Sequence, residues 1–270
     1  MSSKQGTALV TGASGGIGAV YADRLARRGF DLVLVARDAA RMAALAERLR
    51  AEIGVAIEIL PADLTRDEDV TRVEARIAAT DVSLLVNNAG RSLNGSILDN
   101  GAGEISDIVT LNIATPARLA AAAAQAFVAR GGGAIVNIAS VLALAPEMFD
   151  GIYSGTKAFL LNLSQAMAAQ LADKGVYTQA VLPGATRTEI WAKGGKDVNA
   201  FPPDFVMEVD DLVDAALVGF DRHETVTIPP LPDDAQWTAM QAARLAMVPN
   251  LSKSRPAPRY AAPATEPVPA

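Results

Sequence analysis

Tyr153 and Lys157 stand four residues apart, and Ser140 precedes the tyrosine by thirteen. Residues i and i+4 share one face of a helix, so a phenol and an ammonium at this spacing can meet over one ligand. A free phenol has a pKa of about 10, which makes it a weak acid at neutral pH. A neighbouring positive charge stabilises the phenolate and is expected to lower that value. A serine hydroxyl nearby can hydrogen-bond an oxygen as charge develops on it. Together these groups suit proton transfer to or from a carbonyl oxygen.

A second motif lies far upstream. Thr11-Gly12-Ala13-Ser14-Gly15-Gly16-Ile17-Gly18 follows a short apolar run and opens a helical pattern. At such a strand-to-helix turn the free backbone N–H groups and the helix dipole favour a pyrophosphate. The glycines let the backbone turn tightly and approach the ligand. The next apolar run ends Val33-Leu34-Val35-Ala36-Arg37. An acidic residue at that end would bind the ribose 2′-hydroxyl of NAD, whereas alanine followed by arginine suits a 2′-phosphate. NADP is therefore expected in preference to NAD, with Asp38 as a rival partner for a ribose hydroxyl.

The elements that must position these groups follow from hydrophobic pattern. Strands are expected at residues 7–10, 31–36, 57–60, 83–87, 134–138, 177–182 and 226–228, and helices at 17–28, 39–53, 67–79, 105–130, 155–174 and 210–220. The strands are apolar at nearly every position, as when helices cover both sheet faces. Regular alternation gives an α/β fold: one domain with a doubly wound, Rossmann-type parallel sheet flanked by helices. The catalytic domain is expected to span residues 1–248, with a Pro/Ala-rich tail at 249–270. Residues 91–103 and 184–209 break the alternation, the second carrying Trp191, Phe201 and Phe205 among Gly, Lys and Pro. An irregular segment of that length reads as a lid or mobile loop. The aromatics fit two roles equally, lining a substrate pocket or anchoring the loop.

Composition excludes several alternatives. The chain has 270 residues, a formal charge of −6 and no cysteine, so thiolate chemistry is out. His223 is the lone histidine, which leaves little room for a Ser–His triad or a histidine-based metal site; no metal is expected, and His223 reads as a surface residue. No basic stripe suggests nucleic acid, and no segment reads as a signal peptide or membrane span, so a cytoplasmic protein is expected.

In this order of motifs the chain resembles the short-chain dehydrogenase/reductase family, over roughly residues 6–228. The matches are the Thr11–Gly18 loop, Asp63-Leu64, Asn87-Asn88-Ala89-Gly90, Asn112, Ser140, Tyr153-x-x-x-Lys157, and Pro183-Gly184 with Thr188. The resemblance implies an oxidoreductase that interconverts a small-molecule ketone or aldehyde and an alcohol. It assigns Tyr153 as acid/base and Lys157 as its activator and nicotinamide-ribose ligand. Ser140 then orients substrate, and Asn112 anchors a water in a proton relay. Asp63 and Leu64 would meet the adenine, Asn88, Ala89 and Gly90 the adenosine ribose region, and Thr188 the nicotinamide amide, beside Pro183 and Gly184. Asp63 capping a loop and Thr188 capping a segment are the competing roles. Trp191 hints at a hydrophobic substrate. A homo-oligomer, dimer or tetramer, is expected, although Pro229-Pro230-Leu231-Pro232 and the tail depart from the family pattern. Alternatives are a 3-oxoacyl-carrier reductase, with Arg91, Lys193 and Lys196 as sparse docking cations, and a non-catalytic NADP-binding sensor or scaffold.

Overall fold

Strand β1 (Thr7–Thr11) is buried at every position, because helices cover both of its faces. The computed structural model describes residues 5–93, 95, 97–193 and 197–260; Lys196, the Lys193 side chain and residues 261–270 of the expected tail lie outside them. The chain alternates β1, α1 (Gly16–Arg27), β2 (Asp31–Ala36), α2 (Ala39–Ile53), β3 (Ile57–Pro61), α3 (Asp67–Ala78) and β4 (Val82–Asn87). It continues through α4 (Ala102–Val109), α5 (Thr115–Arg130), β5 (Gly133–Ile138), α6 (Gly151–Leu171), β6 (Val176–Val181), α7 (Ile190–Lys193), α8 (Val209–Asp221) and β7 (Val226–Thr227). The seven strands form one parallel sheet in the order β3-β2-β1-β4-β5-β6-β7.

Successive strand residues face opposite layers. Ala8, Val10, Leu32, Leu34, Leu84 and Val86 pack on Tyr21, Leu25, Met42, Leu49 and Leu217 from α1, α2 and α8. Leu9, Val33, Val35, Leu85 and Ile135 pack on Val73, Ile77, Leu119, Phe127 and Met167 from α3, α5 and α6.

Two of the differences from the sequence pattern matter for the site. The expected helix 105–130 is interrupted by a π-helical turn, Thr110–Ala114, between α4 and α5. Helix α6 starts at Gly151 rather than 155, because Asp150 caps it by accepting hydrogen bonds from the amides of Ile152 (3.1 Å) and Tyr153 (2.9 Å). Tyr153 and Lys157 therefore both lie on α6.

Residues up to Pro230 form one compact unit and those from Leu231 a second. Within the second, helix α9 (Ala235–Met247) has no buried residue. Among the described residues no helix is long and apolar enough to cross a membrane.

Candidate active site

β1 and β4 are neighbours in the sheet, while the chain from β1 runs outward to β2 and β3. Their carboxyl ends thus open a crevice at the point where strand order reverses, the usual ligand position in such sheets. Two cavities meet there. One, of about 920 Å³, runs along the glycine loop past Arg37, Asp63 and Leu64 to Asn88, Ala89 and Gly90. The other, of about 430 Å³, is walled by Ser140, Tyr153, Lys157, Pro183, Gly184 and the aromatic residues of the 184–209 segment. Thr188, Ile17 and Gly90 border both.

The glycine loop is built for close approach. Gly12 has φ +69°, and a Cβ there would come within 2.7 Å of Asn88 Nδ2. A Cβ on Gly18 would lie 2.4 Å from the Gly12 carbonyl oxygen. Gly18 thus serves strand–helix packing and does not line either cavity, whereas Gly12, Ser14, Gly15, Gly16 and Ile17 do. Thr11 fixes the opposite lip, since its hydroxyl accepts from the amides of Asn88 (2.9 Å) and Ala89 (3.0 Å). Asn88 Nδ2 donates back to the Thr11 carbonyl at 2.9 Å, so this side chain braces the loop. The first turn of α1 carries no acidic residue, which keeps its positive end open to an anion. The close backbone approach at these glycines and the open start of α1 suit a pyrophosphate.

At the outer end, Asp63 accepts from the amide (3.0 Å) and hydroxyl (2.8 Å) of Thr65. These bonds, chiefly the amide's, hold its carboxyl below the usual range, and Arg37 adds to the effect. Arg37 itself is exposed on the cleft rim.

Ser140, Tyr153 and Lys157 converge on the second cavity. Ser140 is extended and pinned between strand ends: the amides of Ala139 and Val141 donate to the carbonyls of Val181 (2.8 Å) and Pro183 (2.9 Å). Its hydroxyl accepts from the Leu142 amide at 3.2 Å and lies close enough to the Tyr153 phenol to oppose part of the effect of burial on it. Lys157 is buried, its Nζ donating to the Ile138 carbonyl at 2.8 Å and lying 5.7 Å from the Tyr153 ring centroid. Asn112 is not on the cavity wall. It sits behind it in the π turn, its Oδ1 accepting from the Arg91 amide (3.0 Å), its Nδ2 donating to the Arg91 carbonyl (2.8 Å) and to Thr156 Oγ1 (3.1 Å). Both amide hydrogens are thereby committed. Gly90 lies between, since a Cβ there would stand 3.2 Å from Asn112 Oδ1 and 3.7 Å from Lys157 Nζ.

The electrostatics correct one expectation. The phenol is not acidified by the protein alone. Burial pushes Tyr153 up to about 12, against the opposing effect of the Ser140 hydroxyl. Burial likewise pushes Lys157 down to about 8. The desolvation that brings these groups together disfavours the charged form of each. Acidifying the phenol therefore requires positive charge brought in with a ligand.

The described residues of the 184–209 segment are stapled at its base. Arg187 N donates to the Met207 carbonyl and Met207 N to the Ala185 carbonyl, both at 2.9 Å, closing its base. The Trp191 indole donates to the Thr186 carbonyl at 2.7 Å. Rings then follow one another from Tyr153 to Phe149 (5.8 Å), Trp191 (6.4 Å), Phe201 (5.1 Å) and Phe205 (5.7 Å). The lid aromatics both line the cavity and pack on one another, so the two readings of them were not exclusive. Sequence reasoning missed Phe149, Thr156, Arg41 and Glu189. Thr156 lay inside the Tyr-x-x-x-Lys motif, and Arg41 one helical turn beyond Arg37; Glu189 had no signal, because its partner Arg41 is 148 residues away.

Comparison with known proteins bears on this site. The profile described as short chain dehydrogenase matches residues 6–199. A very-long-chain 3-oxoacyl-CoA reductase from Podospora anserina is 39% identical over 66% of the chain, which spans 54% of that relative's length. Human 17-beta-hydroxysteroid dehydrogenase type 3 is 32% identical over 67% of the chain and 59% of its own. Two solved structures are more alike. A short-chain dehydrogenase from Sphingobium yanoikuyae in complex with NADPH is 54% identical with a TM-score of 0.92, covering 95% of this chain and 100% of that one. A bulky-bulky ketone-specific alcohol dehydrogenase from Comamonas testosteroni is 47% identical with a TM-score of 0.89, covering 96% and 99%.

Proposed function

The chain belongs to the short-chain dehydrogenase family, an oxidoreductase acting on ketone and alcohol groups, and from that premise we propose that it is an NADP-dependent reductase of bulky, hydrophobic ketones. One observation carries the reading: Ser140 and Tyr153 face a cavity that Phe149, Trp191, Phe201 and Phe205 also line. A carbonyl oxygen placed between the two hydroxyls leaves both substituents against apolar surface. The Comamonas enzyme's ketone specificity supports the same substrate class.

A bound nicotinamide dinucleotide supplies the hydride and, once oxidised, a positive charge. The remaining work belongs to the chain. The glycine loop and Arg37 bind the phosphates, with Asp63, Leu64, Asn88, Ala89 and Thr188 along the rest of the cleft. NADP use is supported by the Sphingobium complex, and preference over NAD by Arg37 at the end of β2. Ser140 donates to the substrate oxygen as charge builds on it. Tyr153, held protonated by burial, gives up the phenolic proton. Lys157 holds the cofactor ribose hydroxyls and stabilises the phenolate that forms. Asn112 fixes the π turn behind Lys157, where a water can link the ammonium to solvent.

A 3-oxoacyl thioester is the second reading, favoured by the name of the Podospora relative. One panel separates them. NADPH and NADH oxidation is followed by absorbance with diaryl and aryl-alkyl ketones, small methyl ketones, and a 3-oxoacyl-CoA. Turnover of diaryl ketones with NADPH is expected. Turnover confined to small ketones or to the thioester, or a clear preference for NADH, overturns the proposal.

A further inference from the structure

The outer rim of the dinucleotide cleft carries an ion pair that no catalytic step uses. Arg41 stands in the first turn of α2, and its Nη1 donates to both carboxylate oxygens of Glu189 at 2.7 and 2.8 Å. Glu189 directly precedes α7 of the lid, so the pair ties α2 to the segment that carries Trp191. The same Nη1 passes 3.7 Å from the point where a Cβ on Gly15 would stand, and both partners border the cleft. The link therefore crosses the mouth of the phosphate-binding loop.

The charges at this rim do not suit a dianionic phosphate as they stand. Arg37 and Arg41 are opposed by Asp38, Asp63 and Glu189, all on the cleft wall. Asp38 caps α2 through the Arg41 amide at 3.0 Å and stands 3.5 Å from Arg41 Nε, a looser contact than that of Glu189. Asp63 is engaged by Thr65. Glu189 alone comes from the lid, and it occupies the one guanidinium that lies a helical turn beyond Arg37. The pair is half-exposed, at 51% and 49% for the two side chains. An exposed pair of this kind is weak, so an incoming phosphate can displace it.

Resting on the NADP reading above, we propose that Arg41 is a second 2′-phosphate ligand held in reserve by Glu189, and that cofactor binding exchanges the carboxylate for the phosphate and so releases the first turn of the lid. The exchange reports occupation of the cleft to the wall of the substrate cavity through Glu189, Ile190 and Trp191. It also makes Glu189 an internal competitor that lowers affinity for the phosphorylated cofactor more than for the unphosphorylated one.

The test needs binding, not turnover. NADPH and NADH are titrated into the wild type, Glu189→Gln, Arg41→Gln and the double variant, and followed by quenching of Trp191 and Trp237, the two tryptophans of the chain. Glu189→Gln is expected to tighten NADPH roughly three- to tenfold and NADH by less than about twofold, the NADPH gain shrinking in 1 M salt. Arg41→Gln is expected to weaken NADPH and to abolish the gain from Glu189→Gln in the double variant. An unchanged or weaker NADPH affinity in Glu189→Gln overturns the exchange. So does an equal gain for both cofactors, or a gain that survives in the double variant. Failure of the wild type to bind NADPH would sink the cofactor reading itself and is seen separately.

Discussion

The proposed reacting groups and the described residues of the 184–209 segment beside them are held in opposite ways. Asn112, Thr156 and Lys157 are 1%, 1% and 5% exposed. Each is tied to backbone or to a neighbour: Asn112 to both polar groups of Arg91, Thr156 to the Tyr153 carbonyl at 2.7 Å, Lys157 to that of Ile138. The lid is held at its surface. Its Arg187–Glu208 pair is 41% and 56% exposed, and Phe205 is half-exposed. Buried bonds to regular elements fix atoms within a narrow range, as proton transfer demands. Ring edges and exposed ion pairs leave a segment free to adjust, as a pocket for varied substrates demands. Chemistry and selectivity should therefore respond to different mutations.

The largest separation is expected from Tyr153→Phe. The ring and its edge contact with Phe149 remain, and only the hydroxyl is lost. Turnover should fall roughly 10²–10⁴-fold, the usual worth of a positioned general acid. NADPH affinity and thermal midpoint should stay near wild type. Unchanged turnover would place the proton donor elsewhere and dissolve the contrast.

Lys157→Met sharpens it from the side of stability. Burial holds the ammonium's pKa at about 8, against an ordinary value of 10.5. The folded state thus binds the proton less well than the unfolded chain. The resulting penalty is full below pH 8 and fades as pH rises toward 10.5. An apolar side chain of similar length removes it, so the variant should lose activity yet gain about 1–3 kcal/mol. Its advantage in thermal midpoint should be greatest at pH 6–7 and narrow by pH 10. In the wild type, kcat/KM for reduction should fall as pH rises through about 8, where the ammonium is lost. A gap in midpoint that does not change with pH would mean that Lys157 is not buried as a cation.

The same division decided what could be read from the sequence. The sheet, its helices and the residues at its strand ends were legible, because period-two and helical patterns are local and strand ends are where ligands bind. Ser140 and the glycine loop stand at those ends, and Tyr153 and Lys157 follow at helical spacing on α6. The π turn at Asn112 was hidden in an apolar, helix-forming run, since its cause is a tertiary contact with Arg91 and Thr156. The start of α6 at Asp150 was not read, because the glycine after the capping residue obscured it. The direction of the Tyr153 shift was misjudged, because spacing shows a neighbouring charge and does not show desolvation. Glu189 and Phe149 act through partners distant in sequence or in an irregular segment, where no periodicity exists to read.

Trp191→Ala tests the lid alone. It removes the bond to the Thr186 carbonyl and the ring contacts with Phe149 and Phe201. An aromatic pair is worth about 0.5–1.5 kcal/mol beyond area and a hydrogen bond about 1. KM for a diaryl ketone should rise roughly 5–20-fold, while NADPH affinity changes less than about twofold. A loss confined to kcat would show that the lid positions the reacting groups and not merely the substrate.

Glu208→Gln should have the smallest effect. The carboxylate faces Arg187 Nε at 2.7 Å, but both side chains are largely solvated. Such a pair contributes about 0.2–1 kcal/mol, which in a domain of this size moves the midpoint by about 1–4 °C. Arg187 keeps its bond to Asn199 Oδ1 at 2.8 Å, and the backbone bonds at the lid base do not depend on the side chain. Thermal midpoint should therefore drop by a few degrees at most, and KM for a bulky ketone should rise about twofold to fivefold. The effect should vanish in 1 M salt, since screening removes an exposed pair and leaves the main-chain staple intact. A large loss that persists in salt would show that the ion pair, and not the Ala185–Met207 bond, closes the base of the lid.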